Sequence, residues 1–173
     1  MSTKDRILDA AEHHVRAGGY QAFSFRDIAE EIGIKSASVH HHYPTKAALM
    51  TQLALRYRED FLAALPSLEP SQSPAPILQH AFRQALHQDG LMCLCGSLAA
   101  QSDILPEAVG RETRSFFQAL TDYASDGYQG LVPEPEEAAV ALISLLEGAM
   151  MMAKIQGDFA LFDRATHHLL AQN

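Results

Sequence analysis

The spacing of apolar residues is the feature that most constrains how this chain can fold, because it is helical along nearly the whole length. Apolar residues four positions apart lie above one another on a helix and form one buried face. One such series contains Leu49, Leu53, Tyr57 and Phe61. No stretch of useful length alternates apolar and polar residues as a half-buried strand does. The pattern therefore predicts an all-α chain of about nine helices.

Serine, glycine and proline predict where these helices begin and end. Ser2 with Asp5, and Ser24 with Asp27, have the spacing of helix-capping pairs, and Thr45 is suited to cap a later helix. The helices of the second half are predicted at residues 77–88, 91–104, 136–156 and 159–171, with one more after Pro106.

Residues 66–76 differ in composition from the segments on either side. They contain four prolines and three serines. Such a stretch interrupts helical periodicity, so we predict that it connects two domains.

The charge of the chain is unevenly distributed. The formal net charge is −8, and residues 1–60 carry eight basic and eight acidic side chains, so the whole excess lies in residues 61–173. General nucleic-acid coats and binders of anionic membranes normally have a basic surface, and the bulk charge argues against both classes. A composition with 47% hydrophobic and 20% charged residues is typical of a soluble globular protein.

The sequence also lacks the patterns of exported, membrane-spanning and disulfide-stapled proteins. The first residues are interspersed with charges and have no apolar core of signal-peptide length. The most apolar stretch, residues 138–153, is interrupted by Ser144 and Glu147 and is predicted to be too short to span a bilayer. The two cysteines, Cys93 and Cys95, are one residue apart, which is no disulfide framework. We therefore expect a reduced, cytoplasmic protein that does not bind membranes.

Two short helices joined around Gly33, after a first helix, predict a helix-turn-helix motif. Residues 23–49 read FSFRDIAEEIGIKSASVHHHYPTKAAL, and the segment 3–60 resembles the DNA-binding signature of the tetracycline-repressor (TetR) family of bacterial transcription regulators. The elements that carry this resemblance are Arg26-Asp27-Ile28-Ala29, Gly33-Ile34, His40-His41-His42-Tyr43 and Thr45-Lys46. The resemblance implies a helix-turn-helix DNA-binding domain at 1–49, a connecting helix at 50–65, and an effector-binding and dimerisation domain at 66–173.

The second helix of the motif has residue types that suit DNA reading. Ser36, Ala37 and Ser38 are small, which allows close approach to base edges in a major groove. His40 stands where the family usually has a tyrosine that donates to a DNA phosphate, and a histidine ring nitrogen can also donate. Ala37 stands where the family often has glycine, so a shift in operator preference is expected. The complete DNA-binding set that the resemblance implies is Arg26, Lys35, Ser36, Ala37, Ser38, His40, His42, Tyr43, Thr45 and Lys46.

The resemblance also implies a small-molecule effector and a homodimer, because a palindromic DNA operator is read by a two-fold protein. Residues 146–153 resemble the penultimate helix of many family members. The expected effector-binding residues are Met92, Cys95, Leu98, Phe116, Phe117, Leu120, Tyr123, Ile143 and Glu147. The expected dimer interface contains Ile143, Gly148, Met151, Met152, Ile155, Phe162 and Leu169.

The resulting hypothesis is a regulator that represses its own or neighbouring genes and leaves a palindromic operator when a small molecule binds. An alternative is a sensor of electrophiles or oxidants through Cys93 or Cys95, although the default for such cysteines is a buried apolar role. A protein of this fold that has lost DNA recognition is a further alternative. The retained residues that argue against it are Arg26, Ser36, Ser38 and Lys46.

Enzyme and metal hypotheses have little support in the sequence. It contains no nucleophile motif, phosphate-binding glycine loop or H-E-x-x-H pair, so we predict that it is not an enzyme. His40, His41 and His42 are adjacent, and neighbours on a helix point about 100° apart, so they cannot all ligate one ion. No metal or cofactor is expected.

Overall fold

Nine α-helices form the regular structure of residues 2–69 and 72–171, the part of the chain that this computed structural model describes. Those residues contain no strand, so the all-α prediction is confirmed. Short 3₁₀ turns occur at Ser102–Ile104 and His167–Ala171. The helices are α1 Thr3–Gly18, α2 Phe25–Glu31, α3 Ser36–His42, α4 Lys46–Ala64, α5 Pro74–Asp89, α6 Leu94–Ala99, α7 Glu107–Tyr128, α8 Pro135–Gln156 and α9 Ala160–Thr166.

The predicted helix caps are confirmed. The Ser2 hydroxyl accepts from the Asp5 N–H while the Asp5 carboxylate accepts from the Ser2 N–H, and Ser24 and Asp27 repeat this arrangement. The Thr45 hydroxyl accepts from the N–H of residue 48 at 3.1 Å and caps α4. These hydrogen bonds hold the pKa of the Asp5 and Asp27 carboxyls below their usual range.

Two predicted boundaries are wrong. The segment 91–104 is not one buried helix, because α6 occupies only Leu94–Ala99 and a 3₁₀ turn follows. The proline-rich connection is shorter than predicted, since α5 begins at Pro74, where proline is tolerated because the first helical N–H groups have no intrahelical partner. Residues 70 and 71 of that connection lie outside the described residues.

Helix α8 extends beyond the apolar stretch 138–153 at both ends. With 22 residues it is long and apolar enough, by length and composition alone, to cross a membrane, which corrects the prediction that this stretch is too short. The core helix of a soluble protein has the same properties. Because α8 packs against α5 and α9, we attribute its apolar character to core packing and to an exposed stripe described below.

The chain forms two compact units that do not follow sequence order. The first combines Met1–Glu59 with Leu94–Ser115, and the second combines Asp60–Cys93 with Phe116–Asn173. Helices α4 and α7 each contribute residues to both units. The functional division expected from the sequence, at residues 49 and 65, stays a prediction.

The first unit is built on α1, which packs against α2 and α6, while α2 packs against α3. Ile7, Val15, Ile28 and Leu49 are fully buried in its core. This core holds the helix-turn-helix in place, because each of its helices buries one apolar face against the others.

The second unit has an aromatic centre. The Phe61 ring lies edge to face with the rings of Phe82 at 5.7 Å and Phe116 at 5.4 Å between centroids. Helices α5, α8 and α9 pack on one another around this centre, and Phe162 of α9 is fully buried.

Candidate nucleic-acid interface

Helices α2 and α3 are joined by a tight turn at residues 32–35. Gly33 has a φ of +69°, which residues with a Cβ rarely adopt, and the Ile34 N–H donates to the Ala29 carbonyl at 2.9 Å. Within α3, which the structure describes in full, only Val39 is buried. The rest of the helix is therefore available to an external partner.

The predicted reading residues lie on this available side of α3. Ala37, His40 and His42 are exposed, and Ser36 and Ser38 are half-buried. The His40 ring packs on Phe25 of α2, with 4.7 Å between ring centroids. Unlike α1 and α2, α3 has no side-chain cap, since its N-cap residue is Lys35. Its first N–H groups are thus left without a side-chain acceptor.

Most basic side chains near the motif are engaged within the first unit. The pairs and hydrogen bonds join Arg6 to the Ile32 carbonyl, Arg16 to Glu12, Arg56 to Asp9 and Glu12, Arg58 to Glu112, and Lys46 to the Phe23 carbonyl. By contrast, Arg26 and Lys35 are exposed and form no ion pair with any residue in 2–69 or 72–171. Lys35 is the N-cap residue of α3 and Arg26 lies in the first turn of α2, and both are free to meet a polyanion.

Lys46 is more enclosed than the sequence suggests. Its ammonium donates to the Phe23 carbonyl at 2.5 Å and lies 4.4 Å and 5.1 Å from the ring centroids of Phe23 and Tyr20. Burial lowers the pKa of Lys46, and the nearby Asp27 carboxylate partly opposes this. The side chain thus fastens the start of α4 to the loop before α2, in addition to any contact with phosphate.

Tyr43 and Thr45 also have structural roles that the DNA-binding prediction did not include. Tyr43 is 4% exposed, so its ring is part of the core rather than an open DNA contact. Burial raises its pKa, and the Lys4 ammonium lies 5.8 Å from its ring centroid. Thr45 is exposed but its hydroxyl caps α4.

Several residues that position the motif were not predicted. Arg56 of α4 joins Asp9 at 2.8 Å and Glu12 at 3.1 Å, and so fixes α4 to α1. The Gln101 amide oxygen accepts from the Tyr20 N–H at 3.0 Å, next to Gly19. Gln101 is far from these residues in sequence, and no local pattern marks such a contact.

Comparison with known proteins supports this geometry. The family described as bacterial regulatory proteins, tetR family, matches residues 7–53. A TetR-family transcriptional regulator from Agrobacterium tumefaciens is 32% identical over 98% of this chain and 96% of its own, with a TM-score of 0.87. A TetR transcriptional regulator from Legionella pneumophila is 30% identical with the same coverages and a TM-score of 0.88. No curated protein matches the sequence significantly.

The chain belongs to the TetR family. It is a DNA-binding transcriptional regulator with a helix-turn-helix domain, and members of this family are usually dimers that respond to small molecules. Escherichia coli NemR in its reduced form is 19% identical with a TM-score of 0.80, a likeness that concerns the fold alone.

The effector-binding residues predicted for this TetR-family protein divide between the two units. Cys95 and Leu98 lie in the first unit and the other seven lie in the second. Cys95, Leu98, Phe116 and Leu120 are fully buried in the core, whereas Met92, Phe117 and Tyr123 are half-buried. The Tyr123 hydroxyl donates to the carbonyl of residue 66 at 2.9 Å.

Glu147, near the middle of α8, is half-buried as a residue, but its carboxyl group is buried. Its two oxygens are shielded from solvent, the Cys93 thiol donates toward them, and neither has another hydrogen-bond partner among the described residues. Burial raises the pKa of Glu147 to about 7, and the thiol partly opposes this rise. The Cys93 N–H donates to the Met150 sulfur at 3.1 Å, so residues 93, 147 and 150 form one buried cluster.

The predicted dimer residues of this TetR-family protein fall into two groups. Ile143, Phe162 and Leu169 are buried within the second unit, so they are core residues and not surface contacts. Met151 and Met152 are each 51% exposed and Ile155 is 83% exposed, while a Cβ added at Gly148 would meet nothing within 4 Å. The prediction missed Val140 and Leu170, which are also exposed apolar residues.

Proposed function

We propose that this protein is a homodimeric repressor that binds a palindromic operator through α3 and leaves it when a small molecule binds. The observation that carries the DNA-binding part is the exposed face of α3, together with the exposed cations Lys35 at its N-cap and Arg26 in the first turn of α2. Small side chains at residues 36–38 suit direct contact with base edges, and the cations suit the phosphates on either side. Ligand response requires that the effector bind the released form more tightly than the DNA-bound form.

Replacing Lys35 by alanine should weaken binding to every DNA sequence, because a phosphate contact carries no base information. The slope of log affinity against log salt is negative, and removal of one phosphate-neutralising cation should reduce its magnitude by about 0.9 per protomer. Fluorescence anisotropy with DNA from upstream of its own gene, at several NaCl concentrations, measures this slope. Arg111→Ala is the matched control, since Arg111 is exposed on α7 outside the motif. Equal slopes for wild type and Lys35→Ala would contradict the phosphate contact.

An apolar stripe on α8 supports the homodimer. Val140, Gly148, Met151, Met152 and Ile155 lie on one side of the helix at spacings of three, four or eight residues. An exposed apolar surface of this kind on a soluble protein marks an interaction site, and methionines adapt their shape to a partner. A two-fold interface would place the same stripe of two copies against each other.

Ile155→Glu combined with Met151→Glu should convert the dimer into a monomer, because two carboxylates per protomer would be buried against an apolar surface. Light scattering should then give a mass of 18.9 kDa in place of twice that value. Ile104→Glu is the control, since Ile104 is 53% exposed but lies in the 3₁₀ turn before α7. A dimer that persists in the double variant would exclude this stripe as the interface.

The thiol-sensing alternative is less well supported. Cys93 and Cys95 are 1% and 0% exposed, and a reactive thiolate normally requires access to solvent and a nearby positive charge. We therefore infer a non-covalent effector, and a cytoplasmic, non-enzymatic role at the operator.

A further inference from the structure

A cavity of about 520 Å³ lies in the second unit between the end of α4, the segment that follows it, and α5, and it is open to solvent on the side of the exposed residues His80, Gln84 and Gln88. Its walls are mainly apolar and include Phe61, Leu65, Pro66 and Ile77. This volume is within the range of pockets that enclose small organic molecules, roughly 300–1,000 Å³. None of the nine effector-binding residues expected from the sequence is among the described residues that line it.

The polar side chains of the cavity form a single row on α5. His80, Gln84 and Gln88 are four residues apart, so they lie along one side of the helix with a rise of about 6 Å between neighbours. The row is therefore about 12 Å long. Each glutamine amide can both donate and accept hydrogen bonds, so the row can bind several polar groups on one edge of a ligand.

The cavity contains no formal charge. Among the described residues that line it, none is Asp, Glu, Lys or Arg. The neighbouring cation on α5, Arg83, is held by Asp163 at 2.6 Å and is already neutralised by that carboxylate. A charged ligand would give up part of its hydration against the apolar wall without gaining an ion partner, which disfavours it relative to an uncharged ligand.

The wall formed by α4 is rigid. Phe61 is fixed by its contacts with the Phe82 and Phe116 rings, both of which are fully buried. A preformed wall of this kind favours binding, because little side-chain freedom is lost when a ligand arrives. The same helix begins at Lys46, beside the helix-turn-helix, so an occupant of the cavity contacts an element that also belongs to the DNA-binding unit.

We propose that this cavity is the effector site, and that it takes an uncharged, mainly apolar molecule about 12 Å long with hydrogen-bonding groups along one edge. The role of the molecule as an effector rests on the proposed function as a repressor. The binding of such molecules does not rest on that function, because it follows from the lining of the cavity alone.

Two fluorescent probes with the same ring system test the ligand class. N-phenyl-1-naphthylamine is uncharged, and 8-anilinonaphthalene-1-sulfonate adds one sulfonate. Titration of the full chain should give saturable binding of the uncharged probe, and at least about tenfold weaker binding of the sulfonate. Equal affinities, or no binding of the uncharged probe, would overturn the proposal.

A pair of adjacent alanines locates the site. Ala63 and Ala64 are both exposed on α4, but only Ala64 is among the described residues that line the cavity. Ala64→Trp should fill part of the cavity and weaken binding of N-phenyl-1-naphthylamine at least about tenfold, while Ala63→Trp should bind as the wild type does. Gln84→Leu should retain this probe, which makes little use of the polar row. Equal binding by the two tryptophan variants would place the probe elsewhere and overturn the assignment.

A measurement of DNA affinity tests the effector role separately from the binding of the probe. With saturating N-phenyl-1-naphthylamine, the wild type should bind upstream DNA more weakly, and Ala64→Trp should be insensitive to the same probe concentration. Unchanged DNA affinity at full occupancy would overturn the effector role. If the wild type binds no upstream DNA, the repressor function fails while the probe titrations still decide whether the cavity binds uncharged ligands.

Discussion

At pH 8 the Glu147→Gln variant should be about 2–3 kcal/mol more stable than the wild-type protein. Burial raises the pKa of this carboxyl from 4.5 to about 7, so at pH 8 the folded protein holds a carboxylate that would be more stable in the unfolded chain. Glutamine has nearly the same shape and no charge. Urea unfolding at fixed protein concentration measures the difference in the free energy of unfolding.

The stabilisation by Glu147→Gln should depend on pH, and the two pKa values define the range over which it changes. Because the pKa is higher in the folded state, the contribution of this carboxyl to stability is fully present below pH 4.5, decreases as the pH rises, and is lost above about pH 7. Glu147→Gln removes this contribution, so the two proteins should be similar near pH 5 and diverge by pH 8. Glu137→Gln, at an exposed position early in α8, is the control and should follow the wild type. Parallel curves for wild type and Glu147→Gln would show that the carboxyl is not buried in this way.

Gly19→Ala should destabilise the protein by about 2–4 kcal/mol. Gly19 has a φ of +80° and a ψ of −166°, a region that is nearly restricted to glycine. A Cβ at this position would also lie 1.9 Å from the Gln101 amide nitrogen. Gln101 would have to move, and its hydrogen bond to the Tyr20 N–H would break. Thermal or urea unfolding measures the resulting decrease in stability.

Two further variants separate backbone strain from the contact with Gln101. Gly33 has a similar positive φ of +69°, but a Cβ added there would meet no atom within 4 Å. Gly33→Ala should therefore lower the stability by only about 1–2 kcal/mol. In a Gln101→Ala background, Gly19→Ala should cost about 1 kcal/mol less than in the wild type. Additive effects of the two substitutions would mean that the contact with Gln101 contributes nothing to the cost of Gly19→Ala.

The sequence predicts features of this protein that depend on neighbouring residues. The cap at Ser24 and Asp27 needs two residues three positions apart, and the turn at Gly33 needs one residue with a positive φ. Both can be recognised without knowing what packs on them. The helix-turn-helix and its exposed residues Ala37 and His40 are predictable for the same reason.

Features that depend on tertiary packing could not be predicted in the same way. Ile143 and Ile155 are both apolar residues of α8, but Ile143 is 6% exposed and Ile155 is 83% exposed. Their difference is set by α5 and α9, which the pattern within α8 does not reveal. Likewise, the Phe23 carbonyl that engages Lys46 and the loop that contacts Gln101 are distant in sequence. The cavity beside His80, Gln84 and Gln88 was likewise not predicted, because it is formed by the packing of α5 against the end of α4.

The unit that contains the helix-turn-helix is discontinuous in sequence, since residues 94–115 complete it. A fragment ending at residue 59 would lack α6 and would leave bare the surface of α1 on which α6 packs. An exchange of sensor parts between relatives, by recombination or by a laboratory fusion, therefore has to keep residues 94–115 together with the DNA-binding half. The two units are thus interleaved along the gene. A single crossover after α4 would separate residues 94–115 from the first 59 residues, with which they form one compact unit.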